Sequence, residues 1–167
     1  MNTASLNLLK ELLVSKGYQC AGFDELNQNL EVIIDTDSHQ RIWKVILCPT
    51  IQLLAEEKET NFLQIFLSFP YTFETKAIPD LSRLLLLLNK TLLFPAFGLS
   101  ENEGIIYYRH TLYCENGVIP KALTRTIIGV LSLYIDSLSY MIEAVASGRQ
   151  GVQEVLEDAL KTDEAAA

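Results

Sequence analysis

Five leucines in a row, Leu84–Leu88, sit between two prolines, Pro79 and Pro95. Proline suits the first turn of a helix and cannot continue one, so the spacing predicts a helix over Leu81–Leu93. Five consecutive helical residues sweep about 400° of rotation, which puts leucine on every side. A helix lying on a sheet needs an apolar stripe only about 100° wide. The remaining leucines must meet a further element, because a large exposed apolar patch is unfavourable. Two covers are open: a second copy of the chain, or the amphipathic segment near the C-terminus. We expect the second copy, which makes Leu84, Leu85, Leu86, Leu87 and Leu88 a candidate homodimer interface.

The segments on either side alternate between helix and strand patterns. Leu6, Leu9, Leu12 and Leu13 are spaced for a first helix, capped by Thr3 or Ser5 and stopped by Gly17. Leu30, Val32 and Ile34 alternate with Glu31 and Asp35, as in a half-buried strand. The turn signal Thr36–Asp37–Ser38 leads into a hairpin partner over Arg41–Cys48, which Pro49 is expected to end. After a charged connection at Glu56–Thr60, a third strand presents Leu63, Ile65, Leu67 and Phe69 on one face. Beyond the leucine helix, strands are expected at Ala96–Ser100 and Ile105–Cys114 around the turn Glu101–Gly104. A long helix follows from about Pro120 to Ala146, with Leu123, Ile127, Val130, Leu131, Tyr134, Leu138, Met141, Ile142 and Val145 on one stripe. Gly148 and Gly151 then bracket a break before a short helix, Val152–Leu160.

The order α-βββ-α-ββ-α-α indicates an α+β fold with a mainly antiparallel sheet covered by helices. We expect one α+β domain over residues 1–147, followed by an accessory helix and tail over 148–167. The short last helix is marginal alone in water, so its stripe of Val152, Val155, Leu156 and Leu160 is a candidate partner contact.

Composition narrows the function classes. Of 167 residues, 49% are hydrophobic and 20% charged, a globular balance. The net charge is −8, and the thirteen Lys and Arg are scattered, whereas a nucleic-acid surface needs them clustered. Lys10, Glu11 and Lys16 interrupt the first apolar pattern, unlike a signal peptide. Arg125, Asp136 and Glu143 interrupt the longest one, so no membrane partner is expected. Cys20, Cys48 and Cys114 are odd in number and widely spaced, which fits a cytoplasmic protein with neither disulfides nor zinc.

Candidate chemistry is sparse. Asp35 and Asp37 suit the local hydrogen bonds of a turn better than a metal, since no calcium-loop spacing follows. His39 and His110 lack a nucleophile in a strained-turn motif. His110 and Cys114 on one strand stand about 13 Å apart, too far to hydrogen-bond. Gly148–Arg149–Gln150–Gly151 could hold an anion at a helix start, but a helix stop and restart explains it more simply. Tyr107, Tyr108, Tyr113 and Trp43 lack the basic groove of a stacking platform. The reading assigns no catalytic residue, cofactor or metal.

One stretch carries a family likeness. It comprises Leu88–Asn89 at the end of the leucine helix, a Phe-Gly-Leu strand, the turn at Glu103–Gly104, and Ile105–Ile106–Tyr107–Tyr108–Arg109. Asn116–Gly117 and Tyr134–Ile135–Asp136 in the long helix complete it. This resembles the bacterial YbjN-type domains and, more distantly, the type III secretion chaperones, with a closer match expected in a cyanobacterial branch. The resemblance implies a two-layer α/β sandwich, a homodimer, and a non-enzymatic, chaperone-like or regulatory role in binding another protein. A small-molecule sensor, with a ligand between sheet and long helix, is the alternative.

Overall fold

The computed structural model describes residues 3–24, 29–37, 39–53 and 59–166. Among the described residues, four α-helices and six strands follow the order α1 (Thr3–Ser15), β1 (Gln19–Asp24), β2 (Asn29–Thr36), β3 (Ile42–Leu53), β4 (Glu59–Ser68), α2 (Ile78–Thr91), β5 (Phe97–Ser100), β6 (Ile105–Tyr113), α3 (Lys121–Ala146) and α4 (Val152–Ala166). The strands hydrogen-bond in the order β1-β2-β3-β4-β6-β5, and the pairs β1–β2, β2–β3 and β3–β4 are antiparallel. This is the expected α+β class with a mainly antiparallel sheet. The chain packs as two compact units, Met1–Pro70 with Tyr108–Ser132, and Tyr71–Tyr107 with Leu133–Ala167.

In the first unit, strand alternation builds one apolar layer. The register sets Leu30 opposite Leu47 and Val32 opposite Val45, then Leu47 opposite Ile65. All five are buried, as are Leu63 and Leu67. Trp43 continues the layer and meets Phe69 edge-on at 5.1 Å between ring centroids. Leu6, Leu9 and Leu13 bury one stripe of α1. Gly17 ends that helix at positive φ, with the Gly17 N–H on the Val14 carbonyl and the Tyr18 N–H on that of Leu13. This is the Schellman stop that its position suggests.

Four details depart from the sequence expectations. Strand β1 was not anticipated; its sequence QCAGFD lacks clean alternation and carries a bulge between Cys20 and Gly22. Pro49 does not end β3 but lies inside it, opposite Leu63. The β2–β3 register stops at Leu30–Leu47, so among the described residues Pro49 has a strand on one side only, where its missing N–H is tolerated. A bulge between Ile33 and Asp35 takes Ile34 out of the alternation and leaves it half-buried. In α3, Leu123 is exposed, and Thr124 is buried with its hydroxyl on the Pro120 carbonyl at 3.0 Å. That bond satisfies the hydroxyl and lets the buried face start one residue later. The remaining stripe residues Ile127, Leu131, Ile142 and Val145 are buried, while Val130, Tyr134, Leu138 and Met141 are half-buried. By length and composition α3 could also cross a membrane. Ser38 and residues 56–58 of the charged connection lie outside the described residues, as do the side chains of the expected caps Thr3 and Ser5.

The β2–β3 turn is organised by one carboxylate. Asp37 accepts the backbone N–H groups of His39 and Arg41 at 2.9 and 3.0 Å, the Arg41 Nε–H at 2.7 Å and the Trp43 indole N–H at 3.3 Å. Partial burial alone would raise its pKa. The donors from Arg41, His39 and Trp43 outweigh that and lower it from 3.8 to about 2.

Two outcomes are expected. Leu131→Ala should cost about 2–5 kcal/mol in chemical denaturation, as for a fully buried leucine; a loss below about 1 kcal/mol would put the helix phase in error. A carboxylate whose pKa is depressed by folding contributes stability above its unfolded value, and loses that contribution as pH falls through its folded value. The Asp37 contribution is therefore complete above about pH 4 and fades towards pH 2. Fluorescence of Trp43, the single tryptophan, should show a transition with midpoint near that value, absent in Asp37→Asn.

Candidate functional site

The second unit carries the leucine helix and the grooves that surround it. Helix α2 opens with Pro79 in its first turn and ends at Thr91, where the Leu92 N–H still reaches the Leu88 carbonyl. Its leucines divide. Leu84, Leu85 and Leu88 are buried, whereas Leu86 is 71% exposed and Leu87 37%. Of the five candidate interface residues, two therefore face solvent within a single chain. Leu86 also lines a mostly apolar groove of about 230 Å³ with Ser82, Leu85, Phe97 and Leu99, between α2 and β5.

A side-chain amide joins these two elements. Asn89 donates from Nδ2 to the Phe97 carbonyl at 2.8 Å and accepts the Phe97 N–H on Oδ1 at 3.0 Å. The two bonds hold the first residue of β5 against α2. Tyr134 acts on the same segment, accepting the Phe94 N–H at 3.2 Å while its ring lies 6.2 Å from that of Phe97. Sequence reasoning singled out Asn89 and Tyr134 as part of a family likeness without a role; the structure assigns them positioning of β5. An Asn at the end of a leucine helix, eight residues before a strand, was the available signal.

The four residues of the other candidate surface also divide. Val152 is 3% and Val155 4% exposed, Leu156 is half-buried, and Leu160 is 65% exposed. Helix α4 packs against α2, so its valines contact this chain and only its distal leucine projects. The helix continues past Leu160 to Ala166, further than its apolar stripe suggested. Between α4 and the end of α3 runs a groove of about 340 Å³, lined by Tyr140 and Met141 on one side and Val155, Asp158 and Ala159 on the other.

The Gly148–Gly151 break is a helix stop and restart. Gly148 has φ +64°, its N–H bonds the Val145 carbonyl, and the Arg149 N–H bonds that of Ala144, a second Schellman stop. At the restart, Glu154 accepts the Gly151 N–H at 2.8 Å. The start of α4 thus already holds a carboxylate, which disfavours an external anion. Arg149 lies over the Tyr140 ring, 5.9 Å from its centroid.

Of the titratable groups considered from the sequence, Asp37 and His39 meet in one turn, where the Arg41 guanidinium also reaches the His39 ring at 3.4 Å. Asp37 is held in its turn, and His110 lies 6.5 Å from Tyr108 in a stacked arrangement. Burial lowers the His110 pKa and raises those of Cys20 and Cys114. These directions keep all three neutral at pH 7, opposite to an activated thiolate. Among the described residues, no group of three His, Cys, Asp or Glu side chains could hold a metal ion.

Comparison with known proteins gives a family match. A family model for YbjN, described as "Putative bacterial sensory transduction regulator", matches residues 5–139. No curated protein and no solved structure matches the chain. The matched segment contains α2, β5, Asn89 and Tyr134, and ends before α4 begins.

Replacing Asn89 by Ala removes both bonds to Phe97, and should cost about 1–3 kcal/mol in thermal or chemical unfolding. Hydrogen exchange at Phe97 should accelerate, while the Leu63 and Ile65 amides in the first unit keep their protection. Unchanged exchange at Phe97 would remove the positioning role.

Proposed function

The chain belongs to the YbjN family, and on that premise we propose that it is a non-enzymatic regulatory module that binds another protein, chaperone-like in mode, as a cytoplasmic homodimer. The observation that carries this reading is the uncovered part of α2. Leu86 is 71% exposed beside an apolar groove whose other wall is β5. A leucine in that setting gains by meeting a second apolar surface, at about 25 cal/mol per Å² buried. The same face on a second copy supplies one, since a two-fold contact is self-complementary.

The family description names regulation of sensory transduction, which supports the regulatory reading. Cys114 is buried with its thiol pKa raised, which fits a packing role for it better than a nucleophilic one. The sensor alternative needs space between sheet and long helix. In the first unit Ile127, Ile128 and Leu131 of α3 have no exposure at all, which favours the protein-binding reading.

Light scattering at micromolar concentration should return twice the 18.8 kDa chain mass. Leu86→Glu should halve that mass and leave the helical circular dichroism intact, because the side chain lies in solvent in the single chain. A wild-type monomer would sink the dimer.

A further inference from the structure

Helix α4 differs from the rest of the second unit in how it is attached. It lies beyond the segment matched by the family model, and it packs against α2 with Val152 and Val155 buried. Several of its polar contacts are internal to residues 150–161. Gln150 bonds Asp158 at 3.0 Å, the Gly151 N–H bonds Glu154 at 2.8 Å, Gln153 bonds Glu157 at 3.2 Å, and Lys161 pairs with Asp158 at 3.3 Å. These bonds travel with the helix if it lifts.

The end of α3 is complete without α4. Its terminal carbonyls are taken by nearby donors: Glu143 by the N–H and hydroxyl of Ser147, Ala144 by the Arg149 N–H, Val145 by the Gly148 N–H, and Ala146 by the Glu74 N–H. A helix end normally leaves such groups unsatisfied. If the two helices separate, the stop of α3 keeps a donor on each of these carbonyls and Gly151 keeps its bond to Glu154, and the backbone bond that is lost is that of the Gln150 N–H to the Ala144 carbonyl at 3.2 Å. Ser147, Gly148 and Arg149 stay bonded to α3, so the link at Gln150–Gly151 can act as a hinge.

An open groove borders the seat. Val155 and Ala159 are four residues apart and so share a face of α4. Both line the groove of about 340 Å³ that α3 borders with Tyr140 and Met141. Tyr140 remains 71% exposed beside it. Side chains larger than valine and alanine at these two places would occupy the groove and cover the tyrosine ring, and the flexible Met141 can adapt to them.

We propose that this face of the second unit is a seat for an amphipathic helix, held in cis by α4. A partner protein's helix, with leucine, methionine or phenylalanine where α4 has Val155 and Ala159, displaces it. Binding follows the helix-in-groove mode, read as anchors at i, i+3 and i+4. Helix α4 then sets the threshold for regulation, because apparent affinity falls by the fraction of time the seat is open. The inference rests on the protein-binding reading above and names the class of partner segment.

The test uses the full chain and a labelled peptide of residues 150–161 carrying Val155→Leu and Ala159→Leu. Val152→Asp, placed on α4, should release the helix and leave the seat itself unaltered. Fluorescence anisotropy should show peptide binding to that variant about 10–100-fold tighter than to the wild type, the range for a seat closed about 90–99% of the time. Hydrogen exchange should be faster in α4 of the variant while α2 stays protected, which separates release from unfolding. Ala159→Leu in the otherwise wild-type chain should act the other way, slowing α4 exchange and weakening peptide binding. Equal affinity for all three chains, or no effect of Ala159→Leu on α4 exchange, overturns the proposal. A rise in oligomer mass on release, without peptide binding, assigns the seat to a second copy and overturns the partner assignment. Failure here with the Leu86-dependent dimer intact leaves the proposed function standing; loss of that dimer with the seat working removes only the α2 interface.

Discussion

A run of leucines long enough to face every side of a helix must find more than one neighbour, and the second unit is arranged around that requirement. Leu81, Leu84, Leu85 and Leu88 are buried, and α4 and β5 both pack on the helix that carries them. Each fully buried leucine contributes about 1.5–3 kcal/mol from its removal from water. The short extended segment after the helix is held by Asn89 and Tyr134. Leu86 is what this arrangement leaves over. An exposed leucine costs a folded chain little when single, but next to an apolar groove it marks a surface with a further use.

The first unit solves a different problem, that of joining two strands whose phases disagree. The bulge at Ile33/Asp35 shifts β2 by one residue and brings Asp35 opposite Trp43. Two residues later, Asp37 gathers donors from His39, Arg41 and the Trp43 indole. The turn and the apolar layer are thereby linked through one tryptophan, whose ring is buried against Phe69 while its N–H bonds the turn carboxylate. A polar handle on a large apolar ring is well suited to that boundary.

Much of this architecture was legible because it follows from local rules. The proline-bounded leucine helix, the stops at Gly17 and Gly148, and the alternation in β2, β3 and β4 each rest on contacts within a few residues. Part of what escaped the sequence depended on pairing with other strands, and part on a single hydrogen bond. Strand β1 has too little alternation to declare itself and exists through pairing with β2. Pro49 reads as a strand end unless one knows that only β4 flanks it among the described residues. Leu123 and Thr124 exchange places because the Pro120 carbonyl can satisfy a hydroxyl. For the candidate site, periodicity could not separate Leu86 and Leu87 from their buried neighbours, since all five residues are the same. The family likeness pointed to Asn89 and Tyr134 without saying that they hold one strand in place.

The clamp from Asn89 also bears on how the sheet meets the outside. β5 is the last strand in the hydrogen-bonding order and only four residues long. A bare strand at that position invites another chain to extend the sheet, the route to fibrillar association. Here the side-chain amide already occupies both the N–H and the carbonyl of Phe97, in effect standing in for one residue of a neighbouring strand. Little backbone is left for an incoming strand to template on. Recognition at this edge falls to side-chain shape in the α2 groove, and runaway polymerisation is discouraged by the residue that fixes the groove's wall.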